Sequence, residues 1–98
     1  MVKREIKWTT KAIFDKISIL EYWIWRTKSK KYSLKLSGMF DNVISQLALN
    51  PESGKITDYK NIRFRIVKQY LIFYTITEKN IFIIRIWDSR RNPENLRF

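Results

Sequence analysis

The sequence predicts an α+β fold: an N-terminal strand, a two-helix antiparallel hairpin and a three-stranded antiparallel meander, stacked as a two-layer sandwich. Three observations carry this. Apolar residues recur every three to four positions from Ile13 to Leu47, and the pattern stops at the Pro/Gly cluster Asn50-Pro51-Glu52-Ser53-Gly54. Beyond the cluster the apolar period becomes two. The cluster separates an amino half from a carboxy half within a single domain, because 98 residues support no second core.

Val2, Arg4, Ile6 and Trp8 alternate with Lys3, Glu5 and Lys7, as in a short strand with one mostly apolar side. Thr9 or Thr10 then offers a side-chain oxygen to cap the first helix. In that helix Ile13, Ile17, Leu20 and Ile24 make one apolar stripe, flanked by Phe14, Trp23 and Trp25, and the helix ends near Lys28. Tyr32, Leu36, Met39 or Phe40, Val43 and Leu47 continue the period in a second helix until Asn50 and Pro51 stop it. Gly38 lies inside this helix at a cost of about 1 kcal/mol relative to Ala, which marks either a close approach of a neighbour or a tolerated surface glycine.

In the carboxy half, Ile62, Phe64 and Ile66 alternate with Arg63, Arg65 and Val67, which predicts a half-buried strand with a basic outer face. Lys68-Gln69 turns tightly into Tyr70 to Thr77, a run rich in β-branched and aromatic residues, and Glu78-Lys79-Asn80 turns into Ile81 to Trp87. The helical hairpin covers one face of this sheet and leaves the other, or part of it, available.

The chain carries 20 Lys plus Arg against 9 Asp plus Glu, a formal charge of +11, and has neither His nor Cys. Disulfides, thiolate nucleophiles, N/S zinc sites and His-based triads are therefore excluded, and no metal or cofactor is expected. Any chemistry rests on Arg, Lys, Tyr, Asp or Glu. The charge calls for an anionic partner, whether nucleic acid, an acidic protein or a membrane surface. No apolar run reaches the roughly 18 residues of a membrane span, and the amino terminus lacks a signal-peptide pattern, so a cytoplasmic protein is expected.

Arg63, Arg65 and Arg85 fall on predicted strands, with Arg90, Arg91 and Arg97 beyond the last one. A guanidinium's rigid donor fork suits phosphates and carboxylates, so Arg63, Arg65, Arg85, Arg90 and Arg91 are candidate anion- or target-binding residues; the plainer reading is a solvated basic face. Arg26, Lys28, Lys30, Lys31 and Lys35 form a second run without an acid among them, either a solvated turn between the helices or a docking surface for an acidic partner. One stripe cannot accommodate Phe14, Tyr22, Trp23 and Trp25 together, so some aromatic surface is exposed or covered by a partner. Trp23 is assigned to the core and Trp25 to an interface, although aromatics mixed with cations also suit nucleic-acid stacking. Tyr74 is a candidate proton donor or acceptor if a basic surround lowers its pKa; the plainer reading is a strand Tyr packing its ring across the sheet.

Four motifs in order, spanning nearly the whole chain, resemble the RelE/ParE superfamily of bacterial toxins from toxin-antitoxin operons. They are Ile6-Lys7-Trp8-Thr9 leading into Ala12 and Asp15, Leu47-Ala48-Leu49-Asn50-Pro51-Glu52-Ser53-Gly54, Arg65-Ile66-Val67-Lys68-Gln69-Tyr70-Leu71-Ile72-Phe73-Tyr74, and Ile84-Arg85-Ile86-Trp87-Asp88-Ser89-Arg90-Arg91-Asn92-Pro93. The resemblance implies a single toxin domain over residues 1–98, a growth inhibitor neutralised by a cognate acidic antitoxin. RelE-like members cut messenger RNA in the ribosomal A site, and ParE-like members block DNA gyrase. Leu71 stands where the RNase branch typically has Arg, and Asn92 to Arg97 contains neither Tyr nor His, which favours the ParE-like branch. Trp87-Asp88 replaces the apolar-His pair of many ParE-like chains, a departure from that branch as well. On this reading Phe14, Tyr22, Trp25 and Trp87 contact the antitoxin. The alternative endonuclease would use Arg85, Arg91 and Tyr74, and a third reading is a degenerate toxin that retains only antitoxin binding.

Overall fold

Two antiparallel helices lie on one face of a five-stranded sheet in the computed structural model, which describes residues 3–98. In chain order the elements are β1 (Glu5–Trp8), α1 (Thr10–Thr27), α2 (Lys31–Leu49), a 3-10 turn (Pro51–Ser53), β2 (Lys55–Ile56), β3 (Ile62–Val67), β4 (Tyr70–Ile76), β5 (Asn80–Asp88) and a second 3-10 turn (Pro93–Asn95). The sheet order is β1-β5-β4-β3-β2, antiparallel except where β1 runs parallel to β5. The α+β architecture, the helical hairpin and the meander are as the sequence predicts. β2 is an addition: two residues give no period to read. Val2, assigned above to the first strand, lies outside the described residues.

Thr9 joins β1 to α1. Its backbone is extended, its hydroxyl oxygen accepts from Ala12 N at 3.2 Å, and the same hydroxyl reaches Ile83 O and Ile84 O on β5. The N-cap thereby also anchors the helix start to the sheet. α1 ends at Lys28, whose φ of 59° is left-handed and stops the helical ladder.

The face that α1 buries differs from the expected one. Ala12, Ile19, Leu20 and Trp23 turn towards the core, while Ile13 and Ile17 are each 46% exposed. The helix is apolar on most of its circumference, so periodicity alone offers more than one stripe. Small Ala12 permits close approach to the sheet, and the Trp23 indole N–H donates to the Tyr70 hydroxyl at 2.8 Å, which decides between them. From α2, Leu36, Phe40, Ile44 and Leu47 meet Tyr70, Ile72, Tyr74, Ile81, Ile83 and Ile86 in one core.

Parity along β3 also reverses the expectation. Arg63 lies opposite Tyr74 and Arg65 opposite Ile72, so both arginines share the helix-covered face, and Ile62, Phe64 and Ile66 take the other. An alternating strand shows that it has two faces; which one is covered is set by its neighbour. On the uncovered face Phe64, Phe73 and Phe98 form a chain of ring contacts, with Tyr59 against Phe98, as the C-terminal tail folds back over the sheet.

The two glycines play opposite parts. At Gly38 an added Cβ meets nothing within 4 Å, so it is a tolerated surface glycine. At Gly54 it would stand 2.3 Å from Tyr74 Oη and 2.8 Å from Phe64 O, where backbone cannot yield. Gly38→Ala should therefore stabilise the fold by about 1 kcal/mol and Gly54→Ala should destabilise it by about 1–3 kcal/mol. Urea unfolding of the two variants checks both signs.

Candidate functional site

Tyr74 is fully buried and its hydroxyl is saturated: it donates to Pro51 O at 2.6 Å and accepts from Gly54 N at 2.9 Å. Burial pushes its pKa up from 10.0, although the Gly54 N–H and the charges of Arg63 and Arg65 pull the other way. This reverses the expectation of a phenol made acidic by basic neighbours, and Tyr74 is withdrawn as a proton-transfer candidate. Arg63 and Arg65 converge on the same turn. Arg63 donates to Gly54 O at 3.1 Å and Glu52 O at 3.4 Å, while Arg65 donates to Ser53 Oγ at 2.9 Å and Gln46 Oε1 at 3.1 Å. They clamp the end of α2 to the sheet, so the open anion-binding surface expected of them is not formed.

Arg85 sits at a β-bulge where Phe73 and Tyr74 of β4 face Arg85 and Ile83 of β5. The bulge aims its guanidinium at α1, where Asp15 accepts from Nε at 2.7 Å and Nη2 at 3.0 Å. Asp15 Oδ2 also accepts from Ile86 N at 3.0 Å, just where β1 has ended and the edge of β5 would be unpaired. Arg85 Nη1 further donates to Arg97 O in the tail. This residue is a structural joint. The sequence signal for it was an Asp on the inward arc of an apolar helix, which needs a cationic partner across the layers.

Arg85 and Arg91 lie over the Trp87 ring, 5.4 and 4.2 Å from its centroid. Trp87 is only 3% exposed, so it is withdrawn from the expected partner surface. Arg90 forms a fork with Asp88 at 3.1 and 2.9 Å. That hydrogen bond holds the Asp88 carboxyl below its ordinary 3.8. A cleft of about 420 Å³ opens between α1 and the end of β5, lined by Asp15, Tyr22, Tyr70, Asp88, Arg90 and Arg91. Its two carboxylates already hold arginines, and Arg91 is exposed with no carboxylate partner among the described residues. Among the described residues no group of acidic side chains gathers at a metal-sized site, and no helix is long and apolar enough to cross a membrane.

Turning Ala12, Asp15, Ile19, Leu20 and Trp23 inwards turns the opposite arc of α1 outwards. Ile13, Phe14, Ile17 and Trp25 fall within about 120° of arc at 3.6 residues per turn. Phe14 and Trp25 are each 65% exposed, and Tyr22, 43% exposed, flanks Trp25 with ring centroids 6.1 Å apart. This is a contiguous aromatic and aliphatic face on a +11 chain, with the run from Arg26 to Lys35 at its end. Of the four aromatics expected there, the structure brings Phe14, Tyr22 and Trp25 to the surface.

The family model described as ParE toxin of type II toxin-antitoxin system, parDE, matches residues 6–93. The fold is similar to a chain of the structure described as "Chromosomal ParDE TA system from P. aeruginosa", with a TM-score of 0.78 and 20% identity over 90% of this chain and 98% of that one. It is also similar to a chain of the "E. coli DinJ-YafQ toxin-antitoxin complex", with a TM-score of 0.59 and 14% identity over 89% and 93%. No curated protein sequence gives a significant match.

Two outcomes test the site's internal bonds. Tyr74→Phe strands Gly54 N and Pro51 O and should cost about 1–3 kcal/mol in chemical unfolding. Burial also raises the Tyr70 pKa above 10.0, so both phenols add stability that is present below pH 10 and lost as pH rises towards their folded values. Asp88 has the opposite sign: its contribution is present above 3.8 and lost as pH falls through its lowered value. A pH series of unfolding midpoints should show an alkaline decline that weakens in Tyr74→Phe and an acid decline that weakens in Asp88→Asn.

Proposed function

The chain belongs to the ParE toxin family of type II toxin-antitoxin systems, and from that premise we propose that it arrests growth by binding DNA gyrase and is neutralised by a cognate acidic antitoxin laid against α1. The observation that carries the antitoxin reading is the outward face of Ile13, Phe14, Ile17 and Trp25. An acidic amphipathic segment matches it twice: apolar side chains cover the exposed rings, and its charge is steered by the +11 surface. Large aromatics desolvated at the centre of such a contact supply most of its affinity.

A binding mode of action, in preference to RNA cleavage, is supported by how the endonuclease set is spent. The Tyr74 hydroxyl is enclosed between Pro51 O and Gly54 N on the helix-covered side. Arg85 is held by Asp15, and together with Arg91 it stacks on Trp87. Two arginines meet, and of the acid/base groups in the cleft beside Arg91, Asp15 binds Arg85, Asp88 binds Arg90, and the Tyr70 hydroxyl accepts from Trp23 with its pKa raised by burial. Exposed Arg91 is the member free to engage a target.

Induced expression in bacteria lacking the antitoxin tests the proposal, with growth, plasmid supercoiling, DNA breaks and the 5′ ends of translated mRNAs scored together. Arrest with DNA breaks and intact mRNA is expected. A-site mRNA cuts would replace gyrase with the ribosome, and unimpaired growth with retained antitoxin binding would identify a degenerate toxin. Arg91→Ala should relieve arrest at a stability cost of about 0.5–1 kcal/mol, since it removes the cation that lies over the Trp87 ring. Phe14→Ala and Trp25→Ala should each weaken antitoxin binding by about tenfold or more in calorimetry.

A further inference from the structure

The turn between α1 and α2 carries a charge that neither stability nor the antitoxin-facing aromatics explain. Arg26, Lys28, Lys30, Lys31 and Lys35 are all exposed, and none is in an ion pair among the described residues. From Tyr22 to Phe40 the chain has no acid, so the five cations stand uncompensated. Ordinary surfaces intersperse the two signs. Several of these cations surround the start of α2, whose first turn has no acid, although the helix dipole disfavours positive charge there.

We infer that this tip is a contact for the phosphate backbone of duplex DNA. The turn itself is held firmly: Thr27 Oγ1 lies within bonding distance of Trp23 O and Ser29 O, and Ser29 Oγ accepts from Lys31 N at 3.1 Å. Its leading residues, Thr27 to Lys31, include nothing apolar, although Trp25 and Leu34 on either side are exposed. Trp25, the nearest candidate for stacking on an unpaired base, has Lys28 Nζ over its ring at 5.2 Å. The turn thus presents cations on a hydrogen-bonded backbone. That arrangement fits a polyanion of regular shape, bound through its phosphates without reading sequence.

Salt dependence tests this directly, since each cation that neutralises a phosphate contributes about 0.9 to the slope of log affinity against log salt. Binding of the full chain to a labelled duplex of random sequence is followed by fluorescence anisotropy across a salt series. Replacing Lys28, Lys30 and Lys31 by Gln should reduce the slope magnitude by about 2.7, and Lys30→Gln alone by about 0.9, with unchanged circular dichroism. Replacing Lys55, Lys60 and Lys79 by Gln gives the same net charge and should reduce the slope by less than about 0.9. Equal effects of the two triple variants would overturn the inference in favour of overall charge. A tip variant that leaves the DNA slope intact while losing polyglutamate or anionic vesicles would overturn it in favour of an acidic chain or a membrane. The readout is independent of growth arrest, so it stands or falls apart from the gyrase reading.

Discussion

The Tyr74 hydroxyl is the contact on which the two halves of the molecule depend. It belongs to the central region of the sheet, yet it completes the hydrogen bonding of the Pro51–Ser53 turn by giving its proton to Pro51 O and taking one from Gly54 N. A buried hydroxyl with both functions used is worth little more than its neutral alternatives while intact, but each broken partner is a desolvated polar group. The turn consequently has one place to sit, and only glycine fits beneath the ring. Arg63 and Arg65 reinforce the same place from β3, which is why side chains that look like a ligand surface serve as braces.

A second constraint shapes the outside. β1 stops pairing at Trp8, so β5 would continue with a bare edge, and Asp15 fills that position by accepting from Ile86 N while binding Arg85. A carboxylate enclosed on the inner arc of α1 fixes the helix's rotation about its axis. With rotation fixed, Phe14 and Trp25 have nowhere to go but solvent. The exposed aromatic face is thus a geometric consequence of the ion pair that seals the sheet edge.

Much of this was legible in the sequence. Thr9 or Thr10 read as a cap, and Thr9 serves, while Lys28 read as a helix end, Asn50-Pro51 as a stop and Lys68-Gln69 as a tight turn, each by local chemistry that operates without tertiary context. What escaped depended on partners distant in the chain. The parity of β3 was hidden because Arg63 and Arg65 face the core only through the bonds they make with a turn some ten residues earlier. The buried stripe of α1 was misread because Ile13 and Ile17 are as apolar as Ile19 and Trp23, and only Asp15 and the Trp23–Tyr70 bond break the tie. Trp87 looked like a binding residue and is instead the plate on which Arg85 and Arg91 stack.

The parallel pairing of β1 with β5 also sets a clock. Thr9 and Ile83 are joined across 74 residues, so the first strand emerges from the ribosome long before β5, with which it pairs, exists. At typical synthesis rates the wait is about 4–15 s. The α1–α2 hairpin is built from nearby contacts and needs no such wait. The rotation of α1 is nonetheless settled only when β5 brings Arg85 and Ile86 to Asp15, so the surface proposed to receive the antitoxin takes its final form late, together with the sheet.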